Sequence, residues 1–153
     1  IKVSTEFPDE EAGAILFGVY RGKIAEGIDF SDDSARVVIA VGIPYQNRFV
    51  NETSLKIKFN DENKSLINGN RWYKIQAYRA LNQALGRCIR HKNDWGAVIL
   101  LDSRFLYRDV QYNLPTWIQQ QLQNYQSWDS YMQNLAAFCK RMQQSHEPTS
   151  SLL

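Results

Sequence analysis

Apolar positions fall along the chain in two rhythms. Residues 14–20 (AILFGVY), 36–44 (RVVIAVGIP) and 96–102 (GAVILLD) are nearly unbroken apolar runs of strand length, rich in β-branched or aromatic residues. Runs of this kind, with no polar alternation, belong to strands covered on both faces. Elsewhere the apolar residues recur at steps of three and four, the helical period. One such helix is predicted to begin near Arg71, with Tyr78, Leu81, Leu85, Cys88 and Ile89 on one side. Pro115 opens a second, through about residue 124, carrying Trp117, Ile118 and Leu122. Ser127 is the predicted N-cap of a third, in which Trp128, Tyr131, Met132, Leu135, Phe138, Cys139 and Met142 form one buried stripe. Residues 46–70 are polar and Asn-rich, with Asn68-Gly69 as a turn signal, and read as a rim insertion holding a short helix around residues 54–64. Strands alternating with helices predict an α/β layer fold, a mainly parallel sheet flanked by helices and followed by C-terminal helices.

At 153 residues, 44% apolar and 22% charged, the chain has the size and balance of one ordinary folded domain. That excludes a disordered tail or a collagen-like repeat. The apolar runs fall far short of the roughly 20 residues that cross a bilayer, so no membrane partner is expected. The chain opens on Ile1, without the basic and apolar lead of a secretory signal, and reads as a piece of a longer polypeptide. Its two cysteines, Cys88 and Cys139, are too few for a disulfide scaffold, a four-thiolate zinc site or an iron–sulfur cluster, so no metal site is expected within it. Several phosphate and catalytic patterns fail on spacing. Residues 18–23 (GVYRGK) are one position short of a P-loop and put Ile24 where a hydroxyl must reach magnesium. Residues 9–12 (DEEA) lack the apolar strand that precedes a Walker B box, and neither His91 nor His146 has a nucleophile or second ligand at a telling distance.

The net charge of +2 conceals an asymmetry: residues 63–93 carry seven Lys or Arg and no acid, while the other 122 residues carry 11 basic and 16 acidic side chains. A cationic segment on an acidic body suits a polyanion, although on charge alone a solvated helix face is the better explanation. Laid out at about 100° per residue, the helix continued to Arg90 places Gln76, Arg79, Arg87 and Arg90 within about 40° of Gln83. Gln83, Arg87 and Arg90, at i, i+4 and i+7, then converge on one anion, which relieves a like-charge cost of a few tenths of a kcal/mol. Gly86 borders this stripe; a Gly inside a helix costs about 1 kcal/mol against Ala, so it is expected to admit a backbone or ligand.

Residues 83–90 (QALGRCIR) fit QxxGRxxR, the pattern of motif VI in superfamily 2 helicases. Residues 21–30 (RGKIAEGIDF) are similar to motif V of the XPD-like iron–sulfur helicases. Residues 76–82 (QAYRALN) and 91–96 (HKNDWG) resemble the Fanconi anaemia group J type within that family more closely than the XPD type, and residues 114–118 (LPTWI) are shared across it. The resemblance covers roughly residues 12–140.

The resemblance implies that residues 1–153 form most of the second RecA-like motor domain, of P-loop NTPase type, in an ATP-dependent 5′-to-3′ DNA helicase acting in nuclear DNA repair. It implies ATP and Mg2+ shared with the first RecA-like domain of the same polypeptide. In this family that domain carries the P-loop and a 4Fe–4S cluster, so this segment alone is expected to be inactive. Single-stranded or forked DNA is the implied partner, with DNA-repair proteins as further ones. Arg87 and Arg90 are implied as arginine fingers, with Gln83 orienting the attacking water or the γ-phosphate. Glu26, Gly27, Asp29 and Gly86 are implied on the nucleotide side, and Arg21 and Lys23 on the DNA backbone. Ala25 departs from the pattern, since many relatives carry Ser there. Arg48, Tyr107 and Arg108, expected in loops after strands where α/β sheets hold ligands, are additional DNA candidates. Two alternatives stay open: another member of the iron–sulfur group, or a DNA- or protein-interaction segment without catalysis.

Overall fold

The computed structural model describes residues 14–22, 34–89, 91 and 93–146. The elements run β1 (Val37–Val41), α1 (Asn51–Glu62), α2 (Gly69–Leu85), β2 (Ala97–Leu101), a 3₁₀ turn (Ser103–Leu106), α3 (Arg108–Gln111), α4 (Thr116–Gln119) and α5 (Trp128–His146). β1 and β2 pair in parallel, in register from Val37 opposite Ala97 to Val41 opposite Leu101. Parallel neighbours need a long crossover, and α1 and α2 supply it. Mixed helices around a small parallel sheet make this an α/β arrangement, as expected. Among the described residues no helix is long and apolar enough to cross a membrane.

The core lies between α2, the inner face of β1 and the short helices that follow β2. Ala77, Leu81 and Leu85 of α2 have no exposed surface, and they meet Ala40, Ile43, Phe105, Val110, Leu114 and Ile118. α2 begins where Asn68 Oδ1 accepts the Arg71 N–H at 3.0 Å, a side-chain cap for an otherwise orphaned donor. The Asn68-Gly69 signal thus marks a helix start. At Gly69 a Cβ would collide with the Ile57 carbonyl of α1, so α1 and α2 cross at a point that only glycine permits. α1 itself starts three residues earlier than expected and buries Thr53 and Asn60 while leaving Leu55 and Phe59 exposed. That is the behaviour of a rim element resting on a single neighbour.

Three expectations need correction. Residues 14–19 are irregular and largely exposed, with Phe17 at 85%, although their composition reads as a buried strand. A strand exists only where another backbone takes its hydrogen bonds, and neither β1 nor β2 pairs with this run. Coverage on both faces also fails among the described residues: Ala40 is buried, but Val37, Ile39 and Val41 on the opposite face are 39%, 53% and 68% exposed. The stripe on α5 is only half-buried. Trp128 is 69% exposed, Met132 41%, and Cys139 is partly covered rather than core filler. The cap of α5 is as expected, Ser127 Oγ accepting the Ser130 N–H at 3.2 Å, and its body docks through an edge contact of Phe138 on Trp95 at 6.0 Å. α4 is shorter than expected, stopping at Gln119, because past Ile118 only Leu122 packs against the core.

Leu81→Ala should lower stability by about 2–5 kcal/mol in denaturant unfolding, since a fully buried site cannot collapse around the loss. Met132→Ala should cost under about 1 kcal/mol. Equal costs at the two positions would contradict the half-buried placement of α5.

Candidate functional site

The burial of one side of α2 leaves its other side to solvent, and Arg79 and Gln83 stand there one turn apart. They line a cleft of about 540 Å3 with Ile75, Tyr78, Asn82 and Asn113. Among the described residues no carboxylate lines this cleft, and Arg79 brings a positive charge to it. Asn82 Nδ2 donates to the Asn113 carbonyl at 3.4 Å, while among the described residues Asn82 Oδ1 is buried with no hydrogen-bond partner. A cationic, amide-lined surface is fitted to an anion bearing hydrogen-bond donors and acceptors.

α2 ends sooner than its sequence period suggests. Leu85 is its last residue and Gly86 its C-cap. The Gly86 N–H still bonds the Asn82 carbonyl at 3.0 Å, but the Arg87 and Cys88 N–H groups bond the Ala84 and Leu85 carbonyls at 3.1 and 3.3 Å, three residues back. This tighter coil carries Arg87 on a turn that follows the helix, whereas the expected Gln83–Arg87–Arg90 stripe assumed a continuous helix. Half-buried, Arg87 sits where the helix dipole presents its negative end, a favourable place for a cation. Gly86 is exposed, and a Cβ there would meet only carbonyls of its own preceding turn, the nearer at 3.3 Å. Its backbone is right-handed, with φ of −66°, so no left-handed turn requires glycine here.

Arg21 is drawn to the same helix. Its guanidinium donates to the Gln76 carbonyl at 2.9 Å, and its backbone is left-handed, with φ of 64°, in a turn closed by Gly22 N–H to the Val19 carbonyl at 3.0 Å. Arg21, which opens residues 21–30, is therefore tied to α2, from which residues 83–90 continue. Lys23, Glu26, Gly27, Asp29 and Arg90 lie outside the described residues.

The C-terminal ends of the two strands hold the remaining candidates and several residues that the sequence reading missed. Gly42, directly after β1, is left-handed with φ of 77° while its N–H continues the ladder to the Leu101 carbonyl at 3.1 Å, a combination suited to glycine. Beside it Asp102 binds Arg104 through two oxygens, at 2.9 Å to Nε and 2.5 Å to Nη2. The hydrogen bonds from Arg104 pull the Asp102 carboxyl down from 3.8 to about 2. Arg104 also lies over Tyr45 at 5.7 Å, Tyr45 stacks on Tyr73 at 5.4 Å, and Arg48 lies over Tyr73 at 5.4 Å. Tyr45 meets Tyr78 edge-on at 6.4 Å, so an aromatic row runs from Arg48 to the cleft of Gln83. Burial pushes the Tyr78 hydroxyl well above the usual phenol range. Arg48 is exposed and also bonds Asn70 Oδ1 at 3.2 Å. Tyr107 is exposed after β2, whereas Arg108 opens α3 and is not in a loop. An acid closing an apolar run, as Asp102 closes GAVILLD, is a further sequence signal that points to this edge.

Among the described residues no group of three or more His, Cys, Asp or Glu could hold a metal ion. Cys88 is buried, which pushes its thiol up to about 11. These residues do not fit an iron–sulfur cluster.

The family model described as a helicase C-terminal domain matches residues 2–121. The chain belongs to this helicase C-terminal domain family. It is 50% identical over 143 residues to the Fanconi anemia group J protein homolog of Gallus gallus, covering 90% of this chain and 11% of that protein. It is 41% identical over 143 residues to the regulator of telomere elongation helicase 1 of Bos taurus, covering 89% of this chain and 12% of the relative. With the homolog of the latter in Anopheles gambiae it shares 45% over 114 residues, 72% of this chain and 12% of the relative. The chain thus spans about a tenth of the length of these relatives, and the likeness to XPD-like iron–sulfur helicases holds over most of it. Residues 83–90, which fit the motif VI pattern, begin in the last turn of α2.

Asp102→Asn should lower stability near pH 7 by no more than about 1 kcal/mol, because Arg104 is 45% exposed and solvent screens the pair. A depressed carboxyl stabilises the fold above its unfolded pKa of 3.8 and stops doing so as pH falls through about 2. The gap between wild type and variant should therefore close from about pH 4 downward in urea unfolding midpoints. A gap independent of pH would exclude the ion pair as its source.

Proposed function

We propose that residues 1–153 are the second, RecA-like motor domain of an ATP-dependent 5′-to-3′ DNA helicase that works in nuclear DNA repair. The observation that carries this reading is Gln83 in a cleft lined by Arg79 and two asparagines, with Arg87 in the turn just past the same helix, in a chain of the helicase C-terminal domain family. The first RecA-like domain of the same polypeptide brings ATP and Mg2+ to this surface. Hydrolysis attaches a water oxygen to the γ-phosphorus and breaks its bond to the β–γ bridging oxygen, spreading negative charge over the equatorial oxygens. Arg87 and Arg90 neutralise that charge, an effect worth about 10³–10⁵ in rate in well-studied nucleotide hydrolases. Gln83 orients the water or the γ-phosphate.

Glu26, Gly27 and Asp29 of motif V, with Gly86, contact the nucleotide side and couple it to DNA. Arg21, Lys23, Arg48, Tyr107 and Arg108 meet single-stranded or forked DNA, where cations hold phosphates and exposed aromatics stack on bases. The bond from Arg21 to the Gln76 carbonyl supports the coupling, because it links the start of motif V to the helix of motif VI. The 4Fe–4S cluster belongs to the rest of the polypeptide, and DNA-repair proteins are further partners of the whole helicase.

The isolated chain should not hydrolyse ATP above background with or without DNA; robust turnover by this domain alone would overturn the composite site. In the full-length protein, Arg87→Ala should abolish DNA-stimulated hydrolysis, a loss of about 10³-fold or more, while nucleotide binding measured by equilibrium titration stays within a few-fold. Undiminished turnover would remove the finger role.

A further inference from the structure

The segment that leaves α2 with Arg87 returns to the sheet at Ala97, and its two ends are clamped by one residue at the start of β1. The Arg36 carbonyl accepts the Ala97 N–H at 2.8 Å and takes the Cys88 thiol at 3.7 Å. The Arg36 guanidinium donates to Asp94 Oδ1 and to the Trp95 carbonyl, both at 2.7 Å, and lies over the Trp95 ring at 4.4 Å. Asp94, with its side chain 2% exposed, also accepts the Trp95 N–H at 2.9 Å. Cys88, the residue after Arg87, is 1% exposed. Its sulfur reaches the Ala97 carbonyl at 3.5 Å and fills a slot that exists because residue 96 is glycine: a Cβ there would overlap the sulfur.

We infer that Arg36 and Cys88 are positioning residues for Arg87. This rests on the finger reading of Arg87 given above. α2 has already ended at Leu85, so helical geometry does not fix the finger. Its place is set by the next residue, anchored in the sheet, and by the clamp that closes the returning loop. A displacement of about 1 Å at a reacting centre costs about 10²-fold in rate, whereas ATP held by the opposing domain and DNA held elsewhere on this one are bound as before. The buried, weakly acidic thiol suits an anchor and not a reactive group.

The test uses the full-length helicase, with Arg36→Met, Arg36→Lys and Cys88→Ala, alone and combined with Arg87→Ala. DNA-stimulated kcat should fall about 10- to 10²-fold in Arg36→Met, with the KM for ATP and the affinity for single-stranded DNA within about two-fold. Arg36→Lys, which keeps a cation beside Asp94, should recover most of the rate. In single-turnover measurements Arg36→Met should cause no further loss once Arg87 is Ala. Should Arg36→Met fail to fold by thermal melting, Cys88→Ala carries the same expectations, since it removes only the anchoring sulfur. Unchanged kcat, or an equal loss with and without Arg87, would overturn the positioning role while leaving the finger intact. Normal turnover in Arg87→Ala alone would instead overturn the finger reading, and the positioning role with it.

Discussion

The burial of Ala77, Leu81 and Leu85 against Ala40 and the short helices after β2 decides how α2 is turned about its axis, and most of the chemistry depends on that rotation. Fully burying a leucine contributes about 1.5–3 kcal/mol, against a few tenths of a kcal/mol for bringing like charges together on a helix surface. The apolar side therefore wins, and the cationic side is left facing outward whatever its mutual repulsion. Arg79 and Gln83 line the cleft because Leu81 and Leu85 cannot leave the core.

A second constraint acts at the strand ends. Gly42 lets the chain leave β1 in a left-handed conformation, which puts Tyr45 beside Tyr73 and within reach of Arg104. Asp102 fixes Arg104 from the neighbouring strand. Parallel strands whose C-terminal ends sit side by side bring residues from two separated stretches of sequence onto one edge. Arg48 and Tyr107, one following each strand, illustrate this.

Much of this was legible in the sequence, for reasons that can be named. β1, β2 and α2 follow from local patterning strong enough to survive any context, and the Ser127 cap from a side chain that serves its own helix. The motif VI pattern pointed to the family through residues 83–90. Local pattern failed where the outcome depends on a distant partner. Residues 14–19 have a strand's composition without a strand's neighbour among the described residues, and the α5 stripe has a core's periodicity but is only half-buried, with ring contacts of Phe138 on Trp95 and Tyr131 on Tyr125. A helical wheel assumes that the helix continues, whereas the chain tightens after Leu85, which local periodicity does not show. The clamp from Arg36 to Asp94 and Trp95 spans 58 and 59 positions, a distance no window along the sequence can see.

Among the described residues, the row formed by Val37, Ile39 and Val41 is exposed on one face of a two-stranded sheet. Such an apolar row is adhesive. Prepared as a separate polypeptide, this segment would carry that adhesiveness into solution, and these three side chains would add to its tendency to associate at high concentration.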